Sequence, residues 1–211
     1  SIDIKNNHIA GSNAICYMRE NLIALVKKVK KERCNGGKEC NVKVKDGVDK
    51  KENKKTALIN INEGEIEMLI ERFNPDNISE STPDDKYTSY SVNKGEKIIF
   101  CIREKENGKH PHEIIKINTL MFVAIHELAH VMTKSIGHGD DFWNNMRYLL
   151  SVAIRTRAPK NYDPTSKFYT ENMNGKPPEF IYTYEDYSQK SSPYCGTDIS
   201  TTPCNNEDCT K

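Results

Sequence analysis

The sequence predicts an α+β fold in which a small sheet packs on a central helix and an N-terminal helical arm precedes both. Three observations support it. Apolar residues recur at helical spacing in residues 14–33 and again in 117–131, and runs with strand character lie at 87–92 and 97–102. With 211 residues the chain is long enough for one well-buried domain, or for one domain with an appended arm.

We divide the chain into three parts. Residues 1–55 are predicted as an amphipathic helix with a lysine-rich connector, 56–196 as the main domain and 197–211 as a tail. The net charge of only +1 does not indicate that the chain as a whole binds nucleic acid. No run approaches the ~18 apolar residues that span a bilayer. Because the chain begins at Ser1 and not at Met, the sequence leaves an upstream signal or anchor open.

The first element is an amphipathic helix from Ala14 to Arg33, with its predicted start at residues 11–13. Its basic C-terminal end suits the helix dipole. Such a helix is either an arm that binds a membrane surface or nucleic acid, or a helix that packs on the domain. We favour packing, because runs of charge are usually solvated faces. The apolar face consists of Ile15, Met18, Leu22, Leu25, Val26 and Val29.

Residues 34–55 are polar and lysine-rich, which predicts a mobile connector. From Lys27 to Lys55 the chain has twelve basic and five acidic residues, whereas residues 63–85 have eight acidic residues and one arginine. The two stretches either face each other or form independent surfaces. Cys34 and Cys40 form either a small disulfide loop or half of a metal site, and no partner pair at a known spacing favours one of these.

Residues 65–73 predict a short helix, which Asn74-Pro75 ends. The strand-like runs from Tyr87 to Val92 and from Lys97 to Ile102 are joined by a turn-like stretch at 93–96. These runs supply the small sheet of the predicted fold.

The most informative stretch is His126-Glu127-Leu128-Ala129-His130, which lies on an apolar helix. Residues four apart on a helix are about 40° apart around its axis, so His126 and His130 share one face. Two imidazoles so placed can bind one Zn²⁺, with Glu127 beside a metal-bound water. An ordinary buried helix with two hydrogen-bonded histidines is the alternative.

A third histidine favours the metal site over that alternative. His138 follows His130 by eight residues, and Gly137 and Gly139 flank it. Glycine allows the chain to leave a helix through a left-handed turn and fold back. Three protein ligands and a water are typical of catalytic zinc, whereas structural zinc takes a fourth protein ligand. The sequence therefore predicts Zn²⁺ as the cofactor.

The motif, followed by Gly137-His138-Gly139-Asp140-Asp141-Phe142-Trp143, resembles the WLM metallopeptidases and the related SprT/Spartan proteases, above all the WLM-type proteins predicted in large DNA viruses. The resemblance covers roughly the second half of the chain, from about Lys94 to Gly196. It implies a minimal zincin-like fold, with His126, His130 and His138 as zinc ligands and Glu127 as the catalytic base. Metzincins match less well, because their third histidine follows the second by six residues. Gluzincins need a downstream glutamate, and the first one is Glu171.

In zincins the strand ahead of the motif helix commonly binds an extended peptide through main-chain hydrogen bonds. If that geometry holds here, the strand at 98–102 is the substrate shelf; otherwise it is simply a core strand. His110 and His112 precede the motif helix, and we expect them to be solvated because the metal already has three ligands.

A second helix is predicted after the glycine-flanked turn and ends before Pro159. Asp140 or Asp141 either caps this helix or orients a ligand histidine by accepting its second N–H. Phe142 and Trp143 are expected to pack beneath the loop and hold His138 in position.

The tail from Asn161 is predicted to wrap irregularly around the domain. The chain has seven cysteines, an odd number, which favours a reducing compartment with mostly free thiols, although a late disulfide is compatible. We therefore expect an intracellular location (host cytoplasm or nucleus if the protein is viral) or packaging in a virion. Candidates for a phenol that stabilises an oxyanion are Tyr182, Tyr184, Tyr187 and Tyr194.

These features predict a zinc metalloendopeptidase, in which zinc activates a water and Glu127 takes its proton. The expected partner is a protein or peptide substrate. The resemblance implies proteins crosslinked to DNA as one class, and virion proteins are equally open. The alternative is a structural or binding protein that keeps the zinc fold without turnover. The presence of Glu127 disfavours it.

Overall fold

Helices and short strands alternate along the chain in the computed structural model, which describes residues 2–33, 39–44, 57–82, 85–105, 113–160, 167–173 and 176–204. The helices are α1 Ile2–Glu32, α2 Glu63–Arg72, α3 Ile117–Met132, α4 Asp140–Ala153 and α5 Lys167–Asn172, with a 3₁₀ turn at Pro75–Asn77. The strands are β1 Glu39–Val44, β2 Ala57–Asn62, β3 Ile78–Glu80, β4 Ser89–Val92, β5 Lys97–Phe100, β6 Ser192–Tyr194 and β7 Thr197–Ile199. The predicted α+β class is confirmed.

Helix α1 is longer than predicted and belongs to the core. It runs through residues 11–13, so the predicted helix start there is wrong. Gly11 lies against the side-chain ends of Arg103 and Glu80, with Glu80 Oε2 2.9 Å from where a Cβ would be. The prediction that the helix packs on the domain is confirmed by its buried residues Ala14, Tyr17, Met18, Leu22, Leu25, Val26 and Val29.

Part of the predicted connector is a strand. β1 pairs antiparallel with β2, from Glu39 opposite Asn62 to Val44 opposite Ala57, so the prediction of a mobile connector is wrong for these residues. The rest of residues 34–55 lies outside the described part, and this includes Cys34 of the suggested Cys34–Cys40 loop. The predicted short helix is confirmed as α2. Asn62 caps it, since its side-chain oxygen accepts a hydrogen bond from Gly64 N at 2.8 Å.

A three-stranded sheet has the order β3-β5-β4, with β3 parallel and β4 antiparallel to β5. β5 is therefore the central strand, and its Ile98 and Phe100 are fully buried. This corrects the expectation that residues 98–102 form a substrate shelf, because a central strand has no free backbone edge. The edge strands are β3 and β4. β3 has only three residues and carries no sequence signal that predicts a strand.

Helix α3 is the centre of the domain. It packs against α1, α2, α4 and β4, and thirteen of its sixteen residues are buried. This explains why it is apolar on nearly all sides. α4 follows a loop and ends at Ala153, before Pro159 as predicted. Gly139 occupies its N-cap without a side-chain hydrogen bond, so the predicted capping by Asp140 or Asp141 is wrong.

The C-terminal segment contains a hairpin, β6–β7, that is fastened to the rest of the domain. Cys195 in its turn forms a disulfide with Cys101, with the two Cα atoms 6.2 Å apart, which is within the usual range. Ser192 Oγ hydrogen-bonds Thr119 Oγ1 of α3 at 2.8 Å. The expectation of mostly free thiols is wrong for this pair, and Cys204 is disulfide-bonded too.

One continuous hydrophobic core extends from α1 to the C-terminal segment. The proposed division of the chain at residues 55 and 196 remains a prediction. Among the described helices, none is long and apolar enough to cross a membrane.

Candidate metal centre

The structure brings the three predicted histidines together. His126 and His130 lie one turn apart on α3, and the loop between α3 and α4 returns His138 to the same point. His138 Nε2 lies 3.2 Å from His126 Nε2 and 3.1 Å from His130 Nε2. Among the described residues, these three form the cluster whose donor atoms could hold a metal ion.

The spacing of these nitrogen atoms fits a shared metal ion. Tetrahedral ligands at the usual Zn–N distance of about 2.0–2.1 Å lie about 3.3 Å from one another, close to the spacing found here. Burial, with added repulsion from the other histidines of the cluster, lowers the pKa of His126 to about 3. Burial, and then the nearby charges of His138 and Lys94, lowers the pKa of His130 to about 4. Both imidazoles are thus neutral at pH 7, the form that binds metal.

Two aromatic rings at the start of α4 pack against the histidines, as predicted. Trp143 stacks on His138 with 5.5 Å between ring centroids. Phe142, which is fully buried, touches all three imidazoles, at 4.9 Å from His126, 4.4 Å from His130 and 4.6 Å from His138. The exposed His138 therefore gains a fixed ring orientation from side chains at the start of α4.

The hydrogen bonds of Asp141 hold the loop and do not involve a histidine of the cluster. It accepts hydrogen bonds from Ser135 Oγ at 2.5 Å and from Phe142 N at 2.9 Å. These contacts do not support the alternative that Asp141 orients a ligand histidine. Asp140 is exposed at the first turn of α4, where its negative charge suits the helix dipole.

Glu127 is buried beside the histidines, with 5% of its surface exposed. Burial raises the pKa of this carboxyl to about 7, although hydrogen bonds from the side chain and backbone of Ser91 oppose the rise. Ser91 belongs to β4, so the edge strand contacts the predicted base directly. A carboxyl with a pKa near 7 is suited to taking and giving a proton at neutral pH.

The raised pKa predicts a pH-dependent change in stability. In the metal-free chain the folded state keeps the Glu127 proton up to about pH 7, whereas the unfolded state loses it near the ordinary glutamate pKa of 4.5. Stability is therefore lost as pH rises through this window. Glutamine carries no charge and does not titrate. The free energy of unfolding of Glu127→Gln minus that of the wild type should therefore increase by about 2 kcal/mol from pH 5 to pH 8.

Chemical denaturation of both metal-free proteins at the two pH values measures this change. Glu71→Gln is the matched control, because it is the same substitution at an exposed glutamate on α2. If the free energy of unfolding of Glu127→Gln differed from that of the wild type by the same amount at both pH values, the raised pKa of a buried Glu127 would be contradicted.

A cavity of about 810 Å³ opens over the three histidines and Glu127. Edge strand β4 lines one side, and β7 with the residues after it lines another. The wall combines polar β-strand residues with apolar side chains, namely Thr88, Ser89, Tyr90, Ser91, Asn93, Lys94, Phe122, Val123, Ile136, Trp143, Met146, Tyr194, Asp198, Ile199, Ser200 and Thr201. Its size, and the outer edge of β4, which pairs with no other described strand, suit an extended chain.

A model of the WLM domain family matches residues 37–179. The chain belongs to the WLM domain family. The match includes the motif helix, His138 and β4, so the whole candidate metal centre lies inside the WLM domain.

Relatives of this WLM domain occur in large DNA viruses. An uncharacterized protein of Acanthamoeba polyphaga mimivirus is 32% identical over 131 residues, which is 62% of this chain and 53% of that protein. An uncharacterized protein of Invertebrate iridescent virus 3 is 43% identical over 81 residues, or 38% of this chain and 45% of that protein. The chain thus spans about half the length of the relatives it matches. No solved structure matches it significantly.

Of the four candidate tyrosines, Tyr194 is the one that lines the cavity of the WLM domain. Its hydroxyl hydrogen-bonds Ser89, and its pKa is raised by burial and also by the nearby Glu127. Tyr182 and Tyr187 instead pack on Phe122, with ring centroids 6.0 Å and 4.8 Å away.

Sequence reasoning did not find Ser91 or Lys94 as site residues. Both residues reach the site through contacts between elements that are distant in the chain. A single serine or lysine forms no recognisable sequence motif. His110 and His112 lie outside the described residues, so the expectation that they are solvated remains a prediction.

Proposed function

We propose that the chain is a zinc-dependent metallopeptidase that hydrolyses peptide bonds in extended polypeptide segments. The supporting observation is that three histidine nitrogens and a buried glutamate meet on one cavity wall beside a free strand edge. Membership of the WLM family agrees with this proposal.

The proposed chemistry assigns a role to each residue. His126, His130 and His138 would hold Zn²⁺ and leave a fourth position open. A zinc ion held there would supply Lewis acidity, which would make a water more acidic and polarise a peptide carbonyl. Glu127 takes a proton from the water as its oxygen attacks the carbonyl carbon, and gives that proton to the amine as the C–N bond breaks. The Tyr194 hydroxyl is our candidate for stabilising the oxyanion.

The proposed substrate is an extended stretch of polypeptide. β4 is bonded to β5 on one side, and its other edge borders the cavity. A peptide can add to such an edge through main-chain hydrogen bonds. Apolar side chains of the substrate would contact Phe122, Val123, Trp143, Met146 and Ile199.

Two sources of substrate remain proposals. Proteins crosslinked to DNA follow from the family resemblance, and the exposed basic residues at the end of α1 are compatible with DNA contact. Virion proteins are the other source, and the copy number of the chain in purified particles would test packaging.

The experiment that tests the proposal is digestion of an unfolded protein by the zinc-loaded full chain. We expect internal cleavage of reduced and alkylated casein, detected by mass spectrometry of the new termini. Cleavage should stop when 1,10-phenanthroline removes the metal and return when zinc is restored. A fully zinc-loaded chain that cleaves neither casein nor a DNA-crosslinked protein would favour a structural or binding protein without turnover.

A further inference from the structure

His138 differs from the other two histidines in what supports it. His126 and His130 belong to the rigid helix α3, whereas His138 lies in the loop between Met132 and Asp140, and residues 134–140 are exposed. The arrangement of the three nitrogens therefore depends on how firmly this loop is held.

Lys94 holds the first half of the loop. Its Nζ donates hydrogen bonds to Thr133 O at 2.9 Å and to Ser135 O at 2.5 Å. Between these two carbonyls, Lys134 N donates to Glu65 Oε1 at 3.2 Å. The chain is thus held at residues 133–135, and the last of these is three residues before His138.

The position of Lys94 is itself tightly set by a turn between β4 and β5. Asn93, Lys94 and Gly95 have φ of 45°, 57° and 109°, all in the left-handed region. A Cβ on Gly95 would lie 3.2 Å from Val131 Cγ1, so this turn packs directly on the last turn of α3. Non-glycine residues stay in this conformation when the surrounding structure holds them there, and such residues often occur at functional sites.

The charge of Lys94 suits its partners. Thr133 is the C-cap of α3, and carbonyls at the C-terminal end of a helix have no partner within the helix and carry partial negative charge, whereas Ser135 O is a loop carbonyl beyond the helix. An ammonium group that donates to them forms charge-assisted hydrogen bonds, which are stronger than neutral ones. An apolar side chain of similar length would fill the same space without these bonds.

We propose that Lys94 is a positioning residue for the metal ligand His138. It acts through the carbonyls of Thr133 and Ser135, and it connects edge strand β4 to the loop that carries the third ligand. The proposal rests on the metal site of the proposed function. It assigns a role to a residue that lines the cavity without being a ligand or a base.

The test is zinc affinity of the full chain, measured by competition with indicators of graded affinity, for the wild type and Lys94→Met. We expect the variant to bind zinc about 10–100-fold more weakly, as when an outer hydrogen-bond partner of a metal site is lost. Lys97→Met is the matched control, because Lys97 is an exposed lysine on β5 of the same hairpin, and its affinity should equal that of wild type.

The same substitution is then made in a His138→Ala background. If Lys94 acts through His138, Lys94→Met causes little further loss there, because the ligand it positions is already absent. An equal loss in both backgrounds, or wild-type affinity in Lys94→Met, would overturn the proposal. Failure of the wild type to bind zinc would instead reject the metal site, so the two failures are distinguishable.

Discussion

Glu127→Gln is expected to abolish peptide hydrolysis while zinc stays bound. The amide keeps the shape and burial of the carboxylate but cannot accept a proton from water. General-base catalysis contributes about 10²–10⁴-fold, so the rate of casein cleavage should fall by at least this range. Glu127 is next to His126 in the chain without belonging to the cluster of potential ligands, so metal content should be unchanged.

The measurement compares initial cleavage rates at equal zinc loading, with metal content determined by mass spectrometry. Glu67→Gln is the control, because Glu67 is exposed on α2 and away from the cavity lining, and it should cleave at the wild-type rate. A Glu127→Gln protein that cleaves as fast as wild type would end the peptidase proposal.

His138→Ala is expected to lose zinc and activity together. Zinc content should be near-stoichiometric in the wild type and much lower in the variant, because the variant keeps only the two histidines of α3. The loss should exceed the ~10–100-fold that follows removal of an outer hydrogen-bond partner of a ligand. Because His138 is exposed and lies outside the hydrophobic core, the metal-free variant should remain folded.

Thermal unfolding of the metal-free proteins checks that expectation, and His112→Ala serves as a histidine control with full zinc content. Zinc that stays bound in His138→Ala would identify another third ligand, with Asp140 or Asp141 as the first candidates. That outcome would contradict the three-histidine site.

The motif helix and the histidine cluster could be predicted because their signals are local. Helical hydrogen bonds connect residues four apart, so the spacing of His126 and His130 directly gives their common face. The flanking glycines and the aromatic pair after His138 extended this prediction across the loop. The structure brings these side chains together as expected.

The order of the strands could not be predicted in the same way. β3 is three residues long and pairs parallel with β5, which lies about twenty positions later in the chain. Because β5 is thereby enclosed on both sides, it cannot offer a backbone edge to a substrate, and of the two strands of the hairpin β4 is the one at an edge of the sheet.

The sequence by itself determined the α+β class, the helix that carries His126 and Glu127, and the return of His138 through a glycine-flanked loop. Tertiary structure decided which strand faces the cavity, that Cys195 pairs with Cys101, and that Ser91, Lys94 and Tyr194 border the site. The physical reason is the range of the interactions. Helix periodicity and loop composition act within a few residues, whereas sheet order, disulfide pairing and buried hydrogen bonds join segments whose separation in the chain carries no local pattern.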